Sequence, residues 1–157
     1  MNHTVRHSAL FVAFGLVVAS PVFAGLDDPL PAPFTKHVFS VPGIINNGLV
    51  SVISCSSAST VSLNVGVEWF RKNGTSVGVS SLTIPAGETR SFATAGPAFP
   101  VDALMPGPDT IKSGAARVLS TTSSGLLCNA FLMDPLNDPP NRLMPLLITG
   151  PKKQKGQ

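Results

Sequence analysis

The chain has 157 residues, 43% hydrophobic and only 12% charged, with a net charge of +3. A near-neutral chain of this kind lacks the clustered basic face that nucleic acid requires. Two cysteines, three histidines and eight acids leave little material for a metal centre or for acid–base chemistry.

The first stretch reads as an address. Arg6, with His3 and His7, gives a weakly basic start, residues 9–20 are an almost unbroken apolar run, and Pro21-Val22-Phe23-Ala24 follows. Small residues at Val22 and Ala24 suit a signal peptidase, so a secretory signal over 1–24 is expected, cut after Ala24. The rival, a membrane anchor, would need about 20 apolar residues, more than this run has. Cleavage leaves 133 residues, a one-domain length with room for a core. It also removes Arg6, and Lys152, Lys153 and Lys155 crowd the far end, so the body is close to neutral. No other stretch is apolar enough to span a membrane. The mature chain is therefore expected to be secreted or periplasmic, with no span.

Residues 25–36 form a Pro-rich lead-in with Pro29, Pro31 and Pro33 and the pair Asp27 and Asp28. Extended or disordered chain is expected there, because proline cannot donate a backbone hydrogen bond. Residues 37–41 are the first strand candidate, closed by the turn signal Pro42-Gly43. Asn46-Asn47-Gly48 marks a second turn. A strand then ends at Cys55.

The cleanest period lies over residues 60–71. Val61, Leu63, Val65, Val67 and Trp69 share one face, and Ser62, Asn64, Gly66 and Glu68 the other. Such alternation predicts a half-buried antiparallel strand. Asn73-Gly74 turns it back, since both residues tolerate positive φ in a tight hairpin; Asn73-Gly74-Thr75 is also a glycosylation sequon. Residues 76–84 return as a strand, Pro85-Ala86-Gly87-Glu88 turns again, and residues 89–94 form a short strand.

Residues 95–109 break the pattern with four prolines among Phe99, Val101, Leu104 and Met105. A long irregular connection is either a lid over one end of the core or a binding loop. The candidate partner contacts are placed here, at Phe99, Val101, Leu104 and Met105, because prolines reduce the entropy lost on binding and apolar side chains anchor contacts.

Residues 114–120 predict a strand leading as a hairpin into the Cys128 strand. A loop rich in proline follows, and residues 142–149 add a last strand that Pro145 confines to a sheet edge. Residues 150–157 are a basic tail, expected to be disordered.

Two cysteines in an exported chain predict one disulfide, Cys55 to Cys128. They lie 73 positions apart, and closing such a loop contributes roughly 4 kcal/mol on the loop-entropy account. The fold class expected is all-β: an antiparallel β-sandwich of seven to eight strands over 37–149, with the two cysteine strands facing each other across the core. The order Cys55, Trp69, Cys128 resembles the immunoglobulin pattern, although the second cysteine arrives late and the chain has no Tyr for the usual corner.

Ile53-Ser54-Cys55, Ile84-Pro85-Ala86-Gly87-Glu88-Thr89 and Leu127-Cys128-Asn129-Ala130 together resemble small exported bacterial single-disulfide β-sandwich proteins of unknown function. The resemblance covers residues 38–134. It implies a fold and a disulfide and brings no catalytic residue, and fold alone does not give function.

Catalytic motifs are scarce. His37 is the one histidine left after cleavage, and no Gly-x-Ser-x-Gly elbow or phosphate loop is present. Asp134 and Asp138 could serve a weak calcium site or a glycosidase pair, against the plainer reading of a polar loop capping strands. No catalytic residue, metal or cofactor is assigned. The function expected is a non-catalytic exported interaction or structural module that meets an unknown protein or envelope component. The alternatives are a subunit of a surface assembly, with residues 38–41 as the donor-strand candidate, and, last, a hydrolase.

Overall fold

The computed structural model describes residues 29–150. The signal segment, Asp27, Asp28 and the lysines of the tail lie outside the described residues. Those described are all β, without a helix.

Nine strands form two sheets: β1 (Lys36–Ile44), β2 (Val50–Ser57), β3 (Leu63–Arg71), β4 (Ser76–Ile84), β5 (Thr89–Ala93), β6 (Ala103–Leu104), β7 (Gly114–Ser120), β8 (Leu126–Met133) and β9 (Leu143–Pro145). One sheet runs β1-β7-β3-β4 and the other β6-β5-β2-β8-β9, antiparallel except for the β5–β6 pair. The central core draws on both. Val41, Val65, Val67, Trp69, Ala116 and Val118 come from the first sheet, and Ile53, Cys55, Phe92, Leu126 and Ala130 from the second. Two sheets sharing one apolar interior is the economical solution for strands with one greasy face.

The alternation of β3 holds from Leu63 to Trp69, all buried, while Val61 lies outside the strand and exposed. The polar face of β3 is solvated only at Asn64, however. Gly66, Glu68 and Phe70 are buried too. The lead-in is the cause. Residues 29–35 cross the outer face of the four-stranded sheet and seat Phe34 on Gly66. A β-carbon at Gly66 would stand 2.5 Å from the Phe34 ring, so this approach needs glycine. Beside it Glu68 and Arg117 form a buried ion pair, Nε to Oε2 at 2.7 Å. Ser76 donates to the other Glu68 oxygen at 2.8 Å, Arg117 donates to the Pro29 carbonyl at 3.3 Å, and its guanidinium lies 5.4 Å from the centre of the Phe70 ring. Of the extended or disordered chain expected for the lead-in, residues 29–35 are ordered, with a turn at 32–33, because Phe34 carries enough apolar surface to hold the segment down.

Four further local readings change. Pro42-Gly43 does not end β1; the strand continues to Ile44 through a register shift, and Pro42 is tolerated because β1 lies at a sheet edge. The β3–β4 hairpin forms at Asn73-Gly74, but only Gly74 has positive φ, at 81°. Gly74 N–H bonds to the Arg71 carbonyl and Arg71 N–H to the Thr75 carbonyl, the pattern of a longer loop with a glycine bulge. β7 and β8 are not a hairpin, since they belong to different sheets. Nor do the cysteine strands face each other across the core. β2 and β8 are neighbours in one sheet, with Cys55 directly opposite Cys128.

Candidate functional site

Residues 95–109 are fastened along their length. Ala98 N–H bonds to the Pro135 carbonyl at 2.7 Å and Met105 N–H to the Ala93 carbonyl at 2.8 Å. Asp102 is pinned from two sides: its carboxylate accepts from Ser91 N–H at 2.8 Å and from Arg90 at 2.9 Å. Partial burial pushes the Asp102 carboxyl up, but the Ser91 N–H and the Arg90 guanidinium outweigh it and hold the group below its ordinary range. Trp69 donates to the Ser80 hydroxyl at 2.9 Å, which in turn donates to the Leu104 carbonyl at 2.7 Å. A buried indole N–H thus finds its partner and ties β6 beside β4. Farther on, Asn46 donates to the Asp109 carbonyl at 2.7 Å, and Asp109 pairs with Arg71 at 2.7 Å.

The four candidate contacts separate. Phe99 and Val101, half-buried, pack with Ala95 against Val50, Val52, Ala93, Phe131 and Met133, a second apolar cluster. This cluster lies on the outer face of the five-stranded sheet, because Val52 and Ile53 point to opposite faces and Ile53 belongs to the central core. Met105 is 5% exposed and part of the central core. Leu104 is 50% exposed. Burial of three of the four favours the lid, and Leu104 alone keeps a surface large enough to meet a partner.

Cys55 and Cys128 form a disulfide with Cα atoms 4.1 Å apart. Cys55 is fully buried and Cys128 packs against the same core, so the bridge staples adjacent strands on their inner side.

The remaining candidates for chemistry are tied into the scaffold. His37 Nε2 lies 2.9 Å from the Phe39 carbonyl oxygen and 3.0 Å from the Ser40 hydroxyl. In the tautomer with its proton on Nε2 the ring donates to the Phe39 carbonyl, which only accepts. Asp134 accepts from Leu136 N–H at 2.9 Å and from the Asn137 amide at 2.6 Å. Those two bonds, with Arg142 nearby, hold its carboxyl below the ordinary range. It caps the turn that leaves β8. Among the described residues no group of three or more His, Cys, Asp or Glu side chains could hold a metal ion.

Sequence reasoning passed over the surface around β9. Leu136, Leu143, Met144 and Leu147 are all exposed. The edge position was legible from Pro145, but exposure was not, because an apolar run reads as buried unless the fold says otherwise. The donor-strand candidate, residues 38–41, is already used: β1 pairs with β7, and Ser40 bridges Thr149 on its other side. No helix among the described residues is long and apolar enough to cross a membrane. No family model, no curated protein and no solved structure matches the chain.

Proposed function

We propose that the protein is a non-catalytic, exported interaction or structural module that acts through exposed apolar side chains on a disulfide-tied scaffold. The single observation that carries this is the division of labour among its side chains. His37, Asp102 and Asp134 are spent on structural hydrogen bonds, while Leu104, Leu136, Leu143 and Leu147 stand exposed. Leu136, Leu143 and Leu147 recur around β9, and exposed apolar groups that recur in one region mark contact surfaces; Leu104 lies at the other edge of the same sheet. The disulfide supports a secreted or periplasmic setting, where such bonds persist.

The proposal includes an immunoglobulin-like β-sandwich and the likeness to small exported bacterial proteins of that build. The pairings β2–β5 and β3–β7 support it, since they match the neighbour relations of the B–E and C–F strands, and Trp69 lies on the C-like strand. The strand after the F-like β7 departs from that plan: β8 pairs with β2, where an immunoglobulin G strand would lie beside F. A subunit of a surface assembly is the second reading, favoured by the leucines exposed around β9.

Photocrosslinking in the native envelope from positions 104, 127 and 136 tests the module reading. Discrete adducts from at least one position are expected. The absence of any adduct, together with ester or glycoside hydrolysis that His37→Ala abolishes, would replace the module with an enzyme.

A further inference from the structure

Four strands end the two sheets, and three of them are blunted against further pairing. β1 carries Lys36 and Pro42, and Ser40 on its open side already bridges Thr149. β6 is two residues long, and β9 is three and ends in Pro145. Charge, proline and shortness are the usual ways of closing an edge. β4 has none of them: Ser76–Ile84 runs nine residues without a charge or a proline.

The direction of its backbone follows from β3. Arg71 N–H donates to the Thr75 carbonyl, whereas the Asn64 carbonyl accepts from Thr121 N–H, just beyond β7. Backbone groups alternate in direction along a strand, so the odd-numbered residues of β3 face β4. Their partners Gly78, Ser80, Leu82 and Ile84 face back. The N–H and C=O groups of Val79, Ser81 and Thr83 therefore point outward, and none of them has a partner among the described residues. Ser81 and Thr83 are exposed. On the core side of this edge the Ser80 hydroxyl donates to the Leu104 carbonyl at 2.7 Å, and Leu104 is 50% exposed.

We propose that β4 pairs antiparallel with β4 of a second copy about a two-fold axis at Ser81, which joins the two four-stranded sheets into one. In that register Ser81 meets its own copy and Val79 meets Thr83, so every outward N–H and C=O finds a partner. A strand that pairs with itself sets each charge near a like charge, and this strand has none. Val79 opposite Thr83 is a β-branched pair of the kind that stabilises neighbouring strands. Leu82 of the second copy comes opposite Ser80, where it covers the open side of Leu104. A foreign strand could use the same backbone groups, but β4 offers it no charge to select it, whereas the symmetric contact is complete with this chain alone. Self-pairing goes beyond the module reading, which stands or falls by its own crosslinking test.

Sedimentation velocity of the native, disulfide-intact protein over a concentration series tests it, and a concentration-dependent dimer is expected. Ser81→Lys sets two lysines face to face at the axis, and Ser81→Glu two carboxylates. Each variant should stay monomeric at concentrations where the wild type is a dimer, with an unchanged melting temperature under dilution, because position 81 is exposed. An equimolar mixture of the two should regain the dimer that neither forms alone. Leu104→Ser should weaken the wild-type dimer at least about tenfold. A wild-type protein that is monomeric throughout, a dimer that survives both charged variants, or a mixture that stays monomeric overturns the proposal. So does a monomer that yields a discrete foreign adduct by photocrosslinking from position 81 in the envelope, which would give the edge to another protein and leave the module reading standing.

Discussion

Both sheets have their outer faces crossed by a proline-rich strap, and the two straps cover different things. Residues 29–35 close over Glu68 and Arg117, with Phe34 buried and Leu30 half-buried. Residues 95–101 close over Val50, Val52, Ala93 and Met133, and bring Phe99 and Val101. One strap seals a charge pair and the other seals hydrocarbon. The contrast shows two ways to bury the second face of a sheet. A charge pair is sensitive to the loss of either partner, because the survivor is left desolvated. An apolar cluster loses stability in proportion to the area removed.

The largest effect is expected where the comparison is broken on its polar side. Glu68→Gln removes the carboxylate charge that Arg117 Nε meets at 2.7 Å and should cost about 3–5 kcal/mol, read as a lower urea midpoint. Glu68→Leu combined with Arg117→Met should cost less than Glu68→Gln alone. A double variant worse than the single would mean that the pair is valued for its attraction and not merely required to match.

Next is the covalent tie, which only the five-stranded sheet carries. Cys55→Ala with Cys128→Ala should lower stability by about 2–5 kcal/mol. Non-reduced peptide mapping of the native protein should show the two cysteine peptides linked.

On the apolar side, Phe99→Ala should cost about 2–3 kcal/mol, toward the low end for an aromatic truncation because the ring is only half-buried. Leu104→Ala should stay within about 0.5 kcal/mol. Equal losses at the two positions would put Leu104 in the lid after all. Gly66→Ala probes the other strap by the same logic. Its new methyl meets the Phe34 ring, so a loss of about 1–3 kcal/mol is expected, and Phe34→Ala in the same chain should remove the clash.

The smallest effect is that of pH. Asp102 and Asp134 are held below the ordinary value of 3.8 in the folded chain and are released from their partners on unfolding. Their contribution is complete above the unfolded value and is lost as pH falls through the depressed folded value. Stability should therefore be flat with respect to these groups above about pH 5 and decline below it. Asp102→Asn should reduce that decline. Both groups are partly exposed to solvent, which screens them, so the change is small.

The sequence by itself determined the all-β character, the core face of β3 from Leu63 to Trp69, the β3–β4 hairpin at Asn73-Gly74, the edge position of the Pro145 strand and the pairing of Cys55 with Cys128. Each of these follows from local rules: a period of two, a glycine with positive φ, an imino nitrogen without a proton, and a chain with only two thiols to pair. Only the tertiary structure decided which strands are neighbours. Alternation says which side of a strand is greasy and nothing about the strand beside it, so the disulfide was placed across the core when it lies within one sheet. The second faces were equally hidden. Glu68 reads as solvated until Phe34 and Arg117 arrive from 34 and 49 positions away, and Phe99 reads as free until Val52 and Met133 are assembled beneath it. The leucines of β9 show the converse. An apolar run implies burial only if some other element comes to cover it, and that is settled by how the whole chain packs.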